Sequence, residues 1–227
     1  MHDLQLPACP TLGPIGDDEE PVEIPDGWNG DPFTLLPEVY ILDDEESELA
    51  HKYRNNDISG GYLRSQIAAF RAPQPQEQHE RRRIALSELQ KQFVGSPWSL
   101  PDAFIRVFSD DSINDRLRHN NIWLDLVPLS YRLPNVEDCS AIQFTSEGQG
   151  CCYFSLLLSE DGDHCVLYHE DEAVESYPPP PRISPRLSSI PFERCCNSFD
   201  VWLAHYFVDC RQHDDRYTEM LQKFPGM

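Results

Sequence analysis

No lysine or arginine occurs in the first 51 residues, while fourteen Asp and Glu side chains precede Ala50. Over the whole chain 18 Lys and Arg face 39 Asp and Glu, a formal net charge of −21 in 227 residues. A field of that sign repels nucleic acid and anionic membranes and speeds encounter with basic partners, so direct nucleic-acid binding is disfavoured. Long hydrophobic runs are missing as well. Nothing approaches the roughly 20 apolar residues of a membrane span. Residues 1–5 carry neither the basic region nor the apolar core of a secretion signal, and the expected location is cytoplasmic.

The spacings that carry chemistry are also lacking. Eight cysteines are present without a CxxC pair: Cys151 with Cys152, Cys195 with Cys196, and single thiols at Cys9, Cys139, Cys165 and Cys210. Neighbours on a strand point to opposite faces and chelate one ion poorly, so free thiols are expected. His164, Cys165 and His169 make half a metal site at most, because the two histidines fall on opposite strand faces. There is no GxSxG elbow and no HExxH helix. Asp17-Asp18-Glu19-Glu20 and Asp43-Asp44-Glu45-Glu46 lack the spaced ligands and central glycine of an EF-hand loop. His205 with Asp209, and His213 with Asp214, are spaced to orient each other, yet no nucleophile is tied to them. The expectation is a protein that is not an enzyme, with no catalytic residue, cofactor or metal.

What is present divides the chain. Residues 1–58 form an acidic, Pro-rich, partly extended arm, since seven prolines before residue 40 exclude a long helix. Trp28, Phe33, Leu35, Leu36 and residues 39–42 could dock on the domain as a short strand. The arm is either a solvated tail with one apolar anchor or an acidic lure. Residues 59–95 are a helical lead-in. Leu63, Ile67 and Phe70 mark one helix over 62–70, and Leu86, Leu89 and Phe93 mark a second over 77–93. Arg81-Arg82-Arg83 is the one strong basic cluster; a nucleic-acid contact there runs against the overall charge, which favours a solvated helix face pairing with the acidic arm.

Residues 96–210 form the main domain, followed by a tail over 211–227. Ser99 is placed as the N-cap of a helix carrying Phe104, Val107 and Phe108, with Pro101 in its first turn. Residues 110–121 look loop-like. Strands are expected over 122–127, 129–133, 141–144, 151–158 and 164–169, with an acidic turn at 160–163. Gly148 and Gly150 permit a tight turn before the fourth. Residues 153–158 are apolar on both faces, which places them centrally. A closing helix over 198–207 would lay Phe199, Trp202, Leu203 and Phe207 on the sheet, and Trp98 and Trp123 read as core. Consecutive strands favour antiparallel pairing. The fold class is therefore α+β: a mostly antiparallel sheet of about four to six strands with helices packed on it.

The order of parts resembles the SUKH superfamily, the Smi/Knr-type cell-wall regulators and toxin-immunity proteins. It is carried by Pro97-Trp98-Ser99-Leu100-Pro101-Asp102-Ala103-Phe104, then Phe144 with Gly148-x-Gly150 and Tyr153-Phe154. An acidic Gly turn before Val166 follows, and then Ser198-Phe199-Asp200-x-Trp202-Leu203. It covers roughly residues 86–208. Where members often carry Asn-Gly after the Leu-Pro helix, this chain has Ser109-Asp110-Asp111-Ser112-Ile113-Asn114. The resemblance implies a SUKH-like fold and an interaction module. It points to an immunity-type inhibitor of a cognate toxin, a basic and possible nuclease partner, or to an intracellular scaffold of the Smi/Knr type without a toxin. Partner-binding candidates are Glu160, Asp161, Asp163, Glu170, Asp171, Glu172 and Glu175, in a stretch without Lys or Arg. The same carboxylates would equally serve as a solvated edge that discourages sheet-to-sheet pairing.

Overall fold

The computed structural model describes residues 23–57, 61–117, 122–134, 136–147, 150, 152–175 and 179–223. Cys9, Cys151, Gly148 and the Asp17–Glu20 run lie outside them. The chain is α+β, and the described residues form six α-helices with a five-stranded antiparallel sheet and two small ribbons.

Helices come first: α1 (Asp44–Arg54), α2 (Tyr62–Arg71), α3 (Gln76–Phe93), α4 (Asp102–Ser109) and a single turn α5 (Asp111–Asn114). Strands β1 (Ile122–Leu124) and β4 (Thr145–Glu147) pair with each other as a ribbon. The main sheet holds β2 (Ser130–Tyr131), β3 (Cys139–Gln143), β5 (Tyr153–Ser159), β6 (His164–His169) and β9 (Glu193–Cys196), in the order β2-β3-β5-β6-β9. Strands β7 (Val174–Glu175) and β8 (Arg182–Ile183) form the other ribbon, and α6 (Phe199–Lys223) closes the chain.

All seven residues of β5 are buried, as its two apolar faces require of a central strand. Phe154, Leu156 and Leu158 face one core with Phe104, Phe108, Phe144 and the α6 residues Phe199, Trp202, Leu203 and Phe207. Leu157 faces a second core with Tyr131, Leu167, Val174, Ile190 and Phe192. The Phe144 ring lies 4.8 Å from Trp202, 5.4 Å from Phe199 and 5.9 Å from Phe104, the tilted and edge-on spacing aromatic quadrupoles favour. Tyr206 reaches from α6 to donate to the Ile122 carbonyl at 2.8 Å.

Several expectations change. Ser99 does not cap α4: the helix starts at Asp102 with Pro101 in the cap position and no side-chain cap. A residue before proline is driven out of the helical region, which delays the start past Leu100. Residues 110–121 are not all loop, because Asp110 caps α5 by accepting from the Ser112 amide. The apolar anchor of the arm docks as a 3-10 turn over Pro32–Leu35 rather than as a strand, with Phe33 5.9 Å from Phe207. The arm also contains α1, started by a capping box between Asp43 and Glu46. Helix α6 runs to Lys223, through the segment expected as a tail. Buried Arg71 holds that extension through Asp214 at 2.8 Å and Thr218 at 2.7 Å. Trp98 packs against the core as expected, whereas Trp123 is 48 % exposed because the β1–β4 ribbon has an open face.

Candidate functional site

The turn between β5 and β6 carries Glu160, Asp161 and Asp163, all exposed. Gly162 takes φ +86°, a conformation that side chains with a Cβ resist, and its amide donates to the Ser159 carbonyl at 3.2 Å. The Ser159 amide donates to the Asp163 carbonyl at 3.0 Å, and the Ser159 hydroxyl donates to the Asp161 carboxylate. That hydroxyl bond is the main reason the Asp161 carboxyl is held down at about 2. The turn is thus a closed hydrogen-bonded loop in which the Asp161 carboxylate takes part, with Glu160 and Asp163 exposed beside it.

Register enlarges this group. Cys139 pairs with Ser159, so Glu137 and Asp138, both exposed, run out beside the same turn. The buried Cys139 thiol is pushed up by burial first and then by Asp138, Asp161 and Glu160. Across the turn, burial pushes the His164 imidazole down while Asp200 and Asp163 pull it back. Asp200 sits in the first turn of α6, where a carboxylate complements the helix dipole. One end of the sheet therefore gathers Glu137, Asp138, Glu160, Asp161, Asp163 and Asp200. Arg132, stacked 4.9 Å over the Trp98 ring, stands at its border.

The remaining candidates lie at the opposite end of β6. Glu170 and Asp171 are exposed there, while Glu172 and Glu175 are half-buried. Glu175 is paired with Arg182 at 2.6 Å across the β7–β8 ribbon. A six-residue strand holds the two groups about 20 Å apart. The contiguous acidic block of the sequence is two separate clusters, and the structure does not bring all seven residues together. Glu137, Asp138 and Asp200 were missed because they adjoin the turn only through strand register and helix placement.

Among the described residues the basic run of α3 pairs with its own helix and with Asp111, not with the arm. Arg81 pairs with Glu77 at 2.6 Å, and Arg83 with Glu80 at 3.0 Å and Asp111 at 2.7 Å. Arg82 is buried, its polar contacts being with Gln74 and with His79. In α6, Asp209 lies 3.8 Å from His213, and Asp214 pairs with Arg71. Cys139, Cys152, Cys165, Cys195, Cys196 and Cys210 are free thiols. Cys195 is the extra residue of a bulge against β6, which brings its sulfur to 3.9 Å from that of Cys196 instead of onto the opposite face.

A cleft of about 680 Å³ opens between the helical lead-in and the β1–β4 ribbon, away from the acidic turn in sequence and composition. Among the described residues no helix is long and apolar enough to cross a membrane, and no group of three or more His, Cys, Asp or Glu could hold a metal ion. No family model, curated protein or solved structure matches the chain.

Proposed function

We propose that this chain is a protein-binding module of the SUKH type, an immunity-style inhibitor that holds and neutralises a cognate basic toxin, a nuclease being the chemistry that fits best. The observation that carries the reading is the gathering of six carboxylates around the rigid β5–β6 turn of a chain at −21. The order of sequence parts shared with the SUKH superfamily supports it as well. Mechanistically, the carboxylates face the Lys and Arg side chains that would otherwise hold phosphate, so the nucleic acid is displaced. The turn needs no chemistry of its own. It needs to be stiff, and its hydrogen bonds keep the charges in place without further ordering cost.

The test is an affinity capture from the native host at low salt, eluted by a salt gradient and read by mass spectrometry. One basic, modular effector released as salt rises is the expected result. A non-basic host protein that resists salt would overturn the immunity reading in favour of a scaffold of the Smi/Knr type.

A further inference from the structure

The cleft beside α3 has the opposite character to the acidic turn. In a chain at −21, its walls carry three arginines, Arg54, Arg81 and Arg82, against a single carboxylate, Asp125. The three cations are held differently. Arg54 is committed to closing the end of α2, donating to the carbonyls of Ala69, Ala72 and Pro73 at 3.5, 3.5 and 3.1 Å. Arg81 pairs with Glu77 where both side chains are about three-quarters exposed, a pairing that exchanges at little cost.

Arg82 is the unusual one. It is 7 % exposed and lines the cleft, and its terminal nitrogens lie against Gln74 Oε1 and His79 Nδ1 rather than a carboxylate. Its Nε is buried and, among the described residues, has no hydrogen-bond partner. A buried cation with an unmet donor is costly, and such a group calls for an acceptor. Burial works against its charge, while Asp111, Asp115 and Asp125 sustain that charge from a distance. His79 stands between Arg82 and two carboxylates, with Nδ1 3.2 Å from Asp111 and Nε2 3.3 Å from Asp115, so the guanidinium is fixed from behind.

The rest of the lining mixes apolar side chains with Gln74, Gln78, Asn114 and Ser146. Trp123, 48 % exposed, and the half-buried Phe70 form walls, with Leu124 and Leu126 between strand and helix. Its volume of about 680 Å³ lies within the range of small-molecule sites.

We propose that this cleft binds a small ligand in which a carboxylate or phosphoryl group is attached to a flat ring. The oxyanion lies on Arg82 and Arg81, and the ring lies against Trp123. A guanidinium presents planar paired donors that match either oxyanion, and an exposed indole offers the face a ring needs. Asp125 stands in the wall as the repelling charge, its carboxylate accepting from the Ser146 hydroxyl at 3.3 Å. This site is independent of the protein-binding face and shares no residue with it.

The experiment is a titration of the full-length, nitrogen-15-labelled protein with phenyl phosphate, benzoate and the neutral benzyl alcohol at millimolar concentration. The four indole N–H signals are the readout, with that of Trp123 assigned by Trp123→Phe. The Trp123 signal is expected to move with one or both anions and not with the alcohol. Movement with phenyl phosphate alone assigns a phosphoryl ligand, and movement with benzoate alone a carboxylate. Arg82→Gln should weaken the response by about tenfold or more. Should that variant fail to fold, two surface changes carry the test: Arg81→Gln weakens binding and Asp125→Asn tightens it. An unmoved Trp123 signal, an equal response to the alcohol, or no effect of Asp125→Asn would each overturn the proposal.

Discussion

His169 is predicted to make the stability of this protein fall as pH drops from about 6.5 to about 4. The imidazole is fully buried between the rings of Tyr153, at 5.7 Å, and Phe192, at 5.0 Å. A chain of hydrogen bonds fixes its tautomer. Tyr131 donates to the Ser155 hydroxyl at 2.8 Å, and Ser155 donates to His169 Nε2 at 2.9 Å. His169 Nδ1–H then donates to the Asp171 carbonyl at 2.7 Å. Every member is satisfied with the ring neutral, and a second ring proton would have to face the Ser155 hydrogen. Burial is the main cause pushing the imidazole down to about 4, with the Asp171 carbonyl and carboxylate opposing.

The unfolded chain takes up its proton near the ordinary value of about 6.5, so acid favours unfolding through this window. The contribution is fully present above the unfolded value and lost as pH falls toward the folded one. At about 1.4 kcal/mol per decade the total is about 3 kcal/mol. Urea midpoints of the native protein and of His169→Gln, followed from pH 8 to pH 4, isolate it, because the other titrating groups cancel in the difference. The gap between the two should shrink by about 3 kcal/mol on the acid side. Parallel curves, or an imidazole resonance of His169 titrating near 6.5, would refute the reasoning.

Other consequences follow from packing and from the tie between helices. Phe144→Ala empties the centre of the aromatic cluster and should cost about 3–5 kcal/mol in denaturant unfolding, whereas Trp123→Ala on the open face should stay within about 0.5 kcal/mol. Arg71→Met removes the link from α2 to Asp214 and Thr218, together with the Arg71 stack 4.1 Å over Tyr40. Because Asp214 keeps some access to water, the loss should be about 2 kcal/mol. Hydrogen exchange should quicken over residues 214–223 of α6 before 199–210.

Periodicity made much of the fold legible. Helix α3 and strands β5 and β6 are where their apolar spacing put them, within about two residues, because both faces of β5 and one face of α3 are filled. The α6 apolar run ends at Cys210, so the spacing gave no sign of the turns beyond it, which Arg71 holds from 143 positions away in sequence. Helix α1 was readable locally, since Asp43 and Glu46 have capping-box spacing, but the surrounding prolines and charge masked it. Trp123 was misplaced because residue type indicates a preference for burial, not which ribbon face is covered. The acidic site was half legible. Glu160, Asp161 and Asp163 follow from the turn, but Asp138 joins them through the Cys139–Ser159 register and Asp200 through the seat of α6. Sequence adjacency grouped Glu170 to Glu175 with them, and the length of β6 separates them.

The central claim is that the β5–β6 end of the sheet holds a basic protein. The most direct measurement captures partners from the native host in parallel on the unaltered chain and on two charge-reversed variants, Glu160→Lys with Asp163→Lys and Glu170→Lys with Asp171→Lys. The account predicts one basic protein on the unaltered chain, released by salt, lost from the first variant and retained by the second. Equal retention by the first variant, or loss only from the second, would contradict it.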